Sequence, residues 1–352
     1  MLRKKNREPD FNNLKLVLER KPTTRPVLFD FIIGDDKTRM LTGKEYCNDT
    51  EFDCVVSTIK AFDSAGYDYS PIIVRGLTFT KSDSSIQKET KSLNSGALIT
   101  DRDSYNLYQW PDINNCDFSI IKKAGKYLHP NVKFVPFSFD GILENTVGIV
   151  GYENLCYLLF DDIDLLGDIF NQVGKRLFEY YKALLDFDEV GAILCNDDWG
   201  FNTQTMIPPD ALRKFVFPWY KKIVELAHKK NKYAILHSCG YFEDIIDDVI
   251  DDMKFDGRHS YEDKIMPVEK AYDLLYPRIA VLGGMDIDFL ARKSPEEIYS
   301  RSKDMLVKTQ KTGGYALGSG NSIPDYISNE NCLALLKAAL EGYGERSYYE
   351  KK

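Results

Sequence analysis

The sequence has only four histidines among its 352 residues, at positions 129, 228, 237 and 259, so the place of each one is informative. It has no apolar run approaching the roughly 18 residues that a membrane span needs, which excludes a membrane-spanning helix. It has no basic block. Lys and Arg number 46 against 54 Asp and Glu, a net charge of −8, and such an acidic balance argues against a nucleic acid or an anionic membrane as partner. The start, MLRKKNREPD, is basic with no apolar stretch behind it, so it does not read as a secretory signal. Seven cysteines, at 47, 54, 116, 156, 195, 239 and 332, are odd in number and scattered. They read as reduced thiols in a cytoplasm rather than as a disulfide framework. No low-complexity segment, solenoid period or Pro/Gly-rich linker divides the chain.

What is present is ordinary globular material, 43% hydrophobic and 28% charged, with 22 Tyr and 20 Phe. Apolar, β-rich runs alternate with helical patterns. The runs are Arg25–Ile32, Asp68–Arg75, Lys133–Phe139, Gly191–Asn196, Tyr233–Ser238, Phe255–His259, Ile279–Gly283 and Tyr315–Gly318. Several are almost wholly apolar, as strands covered on both faces are. Between them, Leu212, Phe215, Val216, Trp219, Ile223 and Leu226 share one face of a helix over 209–230, which Pro218 should kink or split. Ser294-Pro295-Glu296-Glu297 is a helix-starting box. Helical spacing also covers 161–185 and 331–341. The acidic stretch 243–252 turns Ile245, Ile246, Val249 and Ile250 inward and reads as a solvated outer face.

Eight strands with intervening helices predict an α/β protein, a (β/α)8 TIM barrel, with a doubly wound open sheet as the alternative. Residues 1–24 read as an N-terminal arm or helix. Residues 25–352 read as a single barrel domain with an insertion at about 76–115, partly β and near the mouth.

In such a barrel, chemistry gathers where the strands end. The fifth predicted strand ends His237-Ser238-Cys239-Gly240. Alternation places His237 and Cys239 on one side. An imidazole and a thiolate two residues apart chelate a borderline metal such as Zn²⁺. Equally, Cys239 can be a small buried hydrophobe and His237 a hydrogen-bonded core residue. Neighbouring ends offer Asp197 and Asp198 after the fourth strand and His259 and Tyr261 after the sixth. The seventh offers Asp286, and the eighth offers Ser319 and Asn321 within Gly318–Ser322. Each Asp can instead cap a helix, and Gly318–Ser322 is either a tight turn or an amide cradle for an anion.

At these residues the chain resembles the uroporphyrinogen decarboxylase superfamily, and most closely its cobalamin-dependent methyltransferase-like branch. The strings that carry the likeness are GYENLCYLLFDD (151–162), the long stretch 196–228, AILHSCG (234–240), HSYEDKIMPVEKA (259–271), LGGMDIDFL (282–290) and YALGSGNSIP (315–324). The resemblance implies a (β/α)8 barrel whose zinc is held by a His-x-Cys pair, here His237 and Cys239, and by a later Cys. Asn321, a poor zinc ligand, stands near the place of that later Cys, which leaves Asp198, or a thiol or thioether from substrate, to complete the shell. The haem-pathway decarboxylases carry an arginine-rich segment after strand one and an Asp after strand two. This chain has FIIGDDKTRMLTGKEY and Val74-Arg75-Gly76 there, so it lacks the cationic cradle that a polycarboxylate tetrapyrrole needs.

The resemblance thus implies a zinc-dependent methyltransferase acting to or from a corrinoid, with a small-molecule methyl donor or acceptor. The corrinoid would ride on a separate protein, and a homodimer is suggested by the decarboxylase relatives. Asp198 and His259 are the expected catalytic groups. Asp197, Tyr261, Asp286, Ser319 and Asn321 are the expected substrate contacts. A metal-free, decarboxylase-like lyase using Asp198 or His259 as acid/base, and a non-catalytic corrinoid- or tetrapyrrole-binding barrel, are the alternatives.

Overall fold

The protein is described by a computed structural model covering residues 7–81 and 97–344. Residues 1–6 of the expected arm, 82–96 of the expected insertion and 345–352 of the expected domain lie outside the described residues.

Among the described residues seven strands form one parallel sheet in strict sequence order. They are β1 (Tyr69–Ile73), β2 (Lys133–Phe137), β3 (Ala192–Asn196), β4 (Tyr233–His237), β5 (Gly257–His259), β6 (Ala280–Leu282) and β7 (Tyr315–Ala316). Each lies within a run read from the sequence. Every residue of β3 is buried, as the apolar run AILCN demands of a strand covered on both faces.

The predicted first strand, Arg25–Ile32, is the exception. Residues 27–33 form only isolated parallel bridges to the end of the sheet, Leu28 with Leu317 and Ile33 with Ile323. On the β1 side a side chain replaces the ladder: the Tyr69 hydroxyl hydrogen-bonds both the N–H and the C=O of Asp30. Pro71 within β1 has no N–H to offer. Among the described residues the sheet is therefore a curled, seven-stranded parallel one, and the first of the eight expected strands joins it only through isolated bridges.

The helices follow their sequence signals. Ser294 and Glu297 form the capping box of helix Pro295–Thr309. The Pro218 pattern is resolved by a π-helical turn, Leu212–Val216, which leads into helix Phe217–Lys229 with the proline in its first turn. The acidic stretch keeps Ile245 and Val249 buried, and its carboxylates meet Arg213, Lys221 and Arg278. Among the described residues the expected insertion holds no strand. It carries helix Arg102–Leu107, and Leu98 and Ile99 bond the two helices after β2, donating to the Ile149 carbonyl of Ile142–Val150 and accepting from Asn154 of Tyr152–Asp161. Among the described residues no helix is long and apolar enough to cross a membrane.

Candidate metal centre

Register decides which side chains meet. Asn196 of β3 stands opposite His237 of β4, and His237 opposite His259 of β5. The three strands therefore end level, and the residues that follow them leave the sheet together. The loops after β3 and β4 then touch backbone to backbone. Gly240 has φ +85°, and a Cβ on it would lie 2.0 Å from the Gly200 carbonyl oxygen. Only glycine allows that approach. The contact brings Asp198 against Cys239, whose backbone N–H donates to Asp198 Oδ1 at 2.8 Å.

One ligand atom each from Asp198, His237 and Cys239 lies within 4.8 Å of the other two. His237 Nε2 and Cys239 Sγ are 3.7 Å apart, so the two side chains do face one another. His237 is buried, while Asp198 and Cys239 are only partly so, leaving the open side of the cluster with them. The centroid of the His237 ring lies 4.4 Å from that of Phe31, the two rings tilted by 32°.

The sulfur has two further neighbours. Ser260 Oγ donates to Cys239 Sγ at 3.2 Å, and Asn321 Nδ2 does so at 3.2 Å. The amide of Asn321 is oriented by Ser322, whose N–H donates to Oδ1 at 2.7 Å. Ser260 has φ +87°, a costly conformation for a residue with a Cβ. Arg258 holds it there. The guanidinium, 1% exposed, donates to the carbonyls of Ser260 at 2.6 Å and Ser238 at 3.0 Å, and it lies over the Phe242 ring at 3.8 Å.

The electrostatics are those of a dry site. Burial and then the neighbouring Asp198 push the Cys239 thiol well up, so without a cation it is neutral. Burial, then His259 and Arg258, push His237 well down. Burial lowers His259 to about 3. Both imidazoles are therefore neutral at pH 7. Burial, then Asp197 and Asp198, also raises Glu144 well above the ordinary carboxyl range.

Three residues expected to touch substrate face inward instead. Asp197 is fully buried and accepts from the N–H groups of Ile142, Leu143 and Glu144 and from Trp199 Nε1. It caps helix Ile142–Val150, the role left open for it. Tyr261 is 2% exposed, and its hydroxyl donates to the Arg258 carbonyl. Ser319 is fully buried, and its N–H and Oγ bond Asp30 Oδ1 at 2.8 and 2.6 Å. Three amides of Gly318–Ser322 are taken up within the fold: Ser319 N–H donates to Asp30, Gly320 N–H to the Met285 carbonyl and Ser322 N–H to the Asn321 side chain. Asp286 caps helix Ile287–Arg292 and also accepts from the Asp263 N–H. It shares with Glu262, Lys264, Asn321 and Tyr326 a cavity of about 390 Å³ beside the metal-competent cluster. His259 is fully buried, with Nδ1 2.7 Å from His237 Nδ1 and Nε2 3.2 Å from the Ser319 carbonyl. Neither of its nitrogens is free for a substrate.

Sequence reasoning missed Arg258, Ser260 and Asp30. Asp30 alone carried a visible signal, a carboxylate inside the apolar run RPVLFDFI. Burial raises it to about 6. Arg258 and Ser260 flank a named histidine, but nothing in the sequence shows a clamp on distant carbonyls or a positive φ.

Among solved structures, the chain is similar to a methyltransferase from Methanosarcina mazei at TM-score 0.68 and 17% identity, covering 94% of this chain and 97% of that one. An intracellular xylanase from Thermoanaerobacterium saccharolyticum follows at TM-score 0.37 and 12% identity, covering 93% and 92%. No curated protein matches the sequence. The model of the uroporphyrinogen decarboxylase (URO-D) family matches residues 136–341, more than half of the chain and the part that holds the whole donor cluster, and the protein belongs to that family.

Proposed function

We propose that the protein is a zinc-dependent methyltransferase that moves a methyl group between a small molecule and a corrinoid carried on a separate protein. The observation that carries this reading is the convergence of three unlike donors, Asp198, His237 and Cys239, within 4.8 Å of one another at the strand ends. A mixed N, S and O set suits zinc. Charge fits too. A thiol raised by burial and then by Asp198 ionises readily when a cation offsets the charge, and the two charges of a divalent ion balance one thiolate and one carboxylate. When bound, zinc would act as a Lewis acid that lowers the pKa of an acceptor thiol or polarises a methyl donor.

The chain's own residues do the rest. Cys239 N–H aims the Asp198 carboxylate. Ser260 and Asn321 give the sulfur two hydrogen bonds that stabilise its anionic form. Phe31 and the buried imidazoles keep water from the inner side. Asn321 thus serves as a donor to sulfur where the family resemblance places a ligating thiol, and three protein ligands leave a fourth position for substrate. The cavity of about 390 Å³ next to Asn321 is the natural place for the small molecule, and Asp286 borders it. Larger spaces at the ends of β1 and β2, lined by Arg75, Gly76, Lys81 and Phe139, suit the corrinoid.

Support for methyl transfer over decarboxylation comes from the missing cationic cradle after Ile32 and Val74, and from the neighbour matched over nearly its whole length being a methyltransferase. We also take residues 25–352 as one barrel domain, with segment 27–33 as its eighth stave, in a cytoplasmic protein that forms homodimers. Of the two acid/base candidates of the metal-free lyase, His259 is sealed on both nitrogens and Asp198 lies in the donor cluster, which disfavours that alternative.

The test is metal content, followed by turnover. The purified chain should hold zinc in a one-to-one ratio, and His237→Ala and Cys239→Ala should not. With zinc present, methylcobalamin and a thiol acceptor should exchange a methyl group. A chain that is metal-free and takes up no added zinc sinks the reading. Corrinoid binding with no transfer to any acceptor would point to the non-catalytic barrel.

A further inference from the structure

We propose that His259 is a positioning residue for the metal ligand His237. It fixes the His237 ring so that Nδ1 carries the hydrogen and Nε2 presents its lone pair beside Cys239. The inference rests on the zinc reading above and extends it to a residue that touches neither metal nor substrate.

The order of hydrogens follows from one end. The Ser319 carbonyl can only accept, and it lies 3.2 Å from His259 Nε2, so that nitrogen carries the hydrogen. In a neutral ring Nδ1 of His259 is then a lone pair. His237 Nδ1, 2.7 Å away, must donate to it. That leaves His237 Nε2 as the lone pair, facing Cys239 Sγ at 3.7 Å. Starting from the metal gives the same answer: a ligating Nε2 forces the hydrogen onto Nδ1 and requires an acceptor there. The two directions agree without any proton moving.

The packing holds this order. His237 is 3% exposed and His259 fully buried. Phe31 covers the His237 ring at 4.4 Å, and Phe29 meets the His259 ring edge at 5.3 Å, so a flip of either ring needs the core to open. The room for the His259–Ser319 bond is made by Gly283. A Cβ there would lie 2.2 Å from the Ser319 carbonyl oxygen and 2.9 Å from His259 Nε2. The carbonyl itself is anchored, since Ser319 donates twice to buried Asp30, which also receives the Tyr67 hydroxyl. A chain of four residues, Asp30, Ser319, His259 and His237, thus runs from the core to the metal position.

Nitrogen NMR of the imidazole rings in the metal-free wild-type chain tests the order directly. The four histidines are assigned with His237→Ala and His259→Phe. We expect His259 protonated at Nε2 and His237 at Nδ1. A His259 protonated at Nδ1 overturns the proposal whether or not any variant folds. Zinc alone, in competition with a chromophoric chelator, tests the consequence. H259F, which has no acceptor, should bind zinc about 10- to 100-fold more weakly. H259Q, whose amide can accept from His237 and donate to Ser319, should recover most of the affinity. Equal zinc affinity in H259F and wild type overturns the positioning role and leaves the zinc reading standing. A wild-type chain with the expected tautomers that binds no zinc overturns the zinc reading instead, and the positioning role with it, leaving only the order of hydrogens.

Discussion

Asp30 should make the protein more stable as pH falls, and Asp30→Asn should remove that dependence. The carboxyl is fully buried where segment 27–33 meets the end of the sheet, and burial raises it to about 6 against an ordinary 3.8, although Ser319 and Tyr67 donate to it. Its folded-state pKa lies above its unfolded value, so the folded chain binds the proton more tightly. Its ionisation therefore costs stability, and the cost grows as pH rises from about 4 to 6 and is fully present above that. The two pKa values differ by a factor worth about 3 kcal/mol at 1.36 kcal/mol for each tenfold change in proton affinity. An Asn keeps an oxygen for the Ser319 N–H and presents an amide to the Tyr67 hydroxyl, which can turn to accept. D30N should thus exceed wild type by up to about 3 kcal/mol at pH 8, and the gap should close near pH 4. Urea unfolding of both proteins at pH 4, 6 and 8 reads the gap, with other titrating groups cancelling in the difference. A gap that is flat with pH, or one that widens toward acid, refutes the reasoning.

Three further substitutions follow from single contacts. Gly240→Ala places a Cβ against the Gly200 carbonyl and strains a positive φ. It should part Asp198 from Cys239 and weaken zinc binding by at least about tenfold, read by chelator competition. Asp197→Ala strips the cap from helix Ile142–Val150 and orphans three amides. It should cost about 2–4 kcal/mol in urea unfolding and lower methyl transfer only as far as it unfolds the chain. Asn321→Cys puts a second thiol beside Cys239 Sγ. It should tighten zinc on the order of tenfold and slow methyl transfer, because a closed four-ligand shell has no place for substrate.

The sequence made the strands and their order legible because buried parallel strands are written as continuous apolar runs, and seven of these lie where strands form. The eighth run, Arg25–Ile32, has the same composition, but its partner on one side is the Tyr69 side chain rather than a backbone, and composition cannot distinguish the two. The His-x-Cys pair was legible for the same local reason, as alternation is a property of neighbours. What stayed hidden is non-local. Asp198 could be named from the sequence as a further donor, but that it meets the pair while Asp197 turns to a helix depends on how two glycine loops touch. That His259 stands behind His237 depends on sheet register.

The departure at Asn321 then has a physical reading. A His with two thiolates balances a divalent ion in charge, and so does a His with one thiolate and one carboxylate. Replacing the later thiol by an amide while Asp198 closes in keeps the net charge of the centre at zero on this reading, so no uncompensated ion is buried at the mouth. The exchange is not neutral chemically. A carboxylate oxygen gives less electron density than a second sulfur, and Ser260 and Asn321 draw density from the one sulfur that remains. A cation held this way is a stronger Lewis acid than one held by two thiolates. It should therefore act on a substrate whose own donor is weak, which favours a neutral thiol or an ether oxygen over a preformed thiolate.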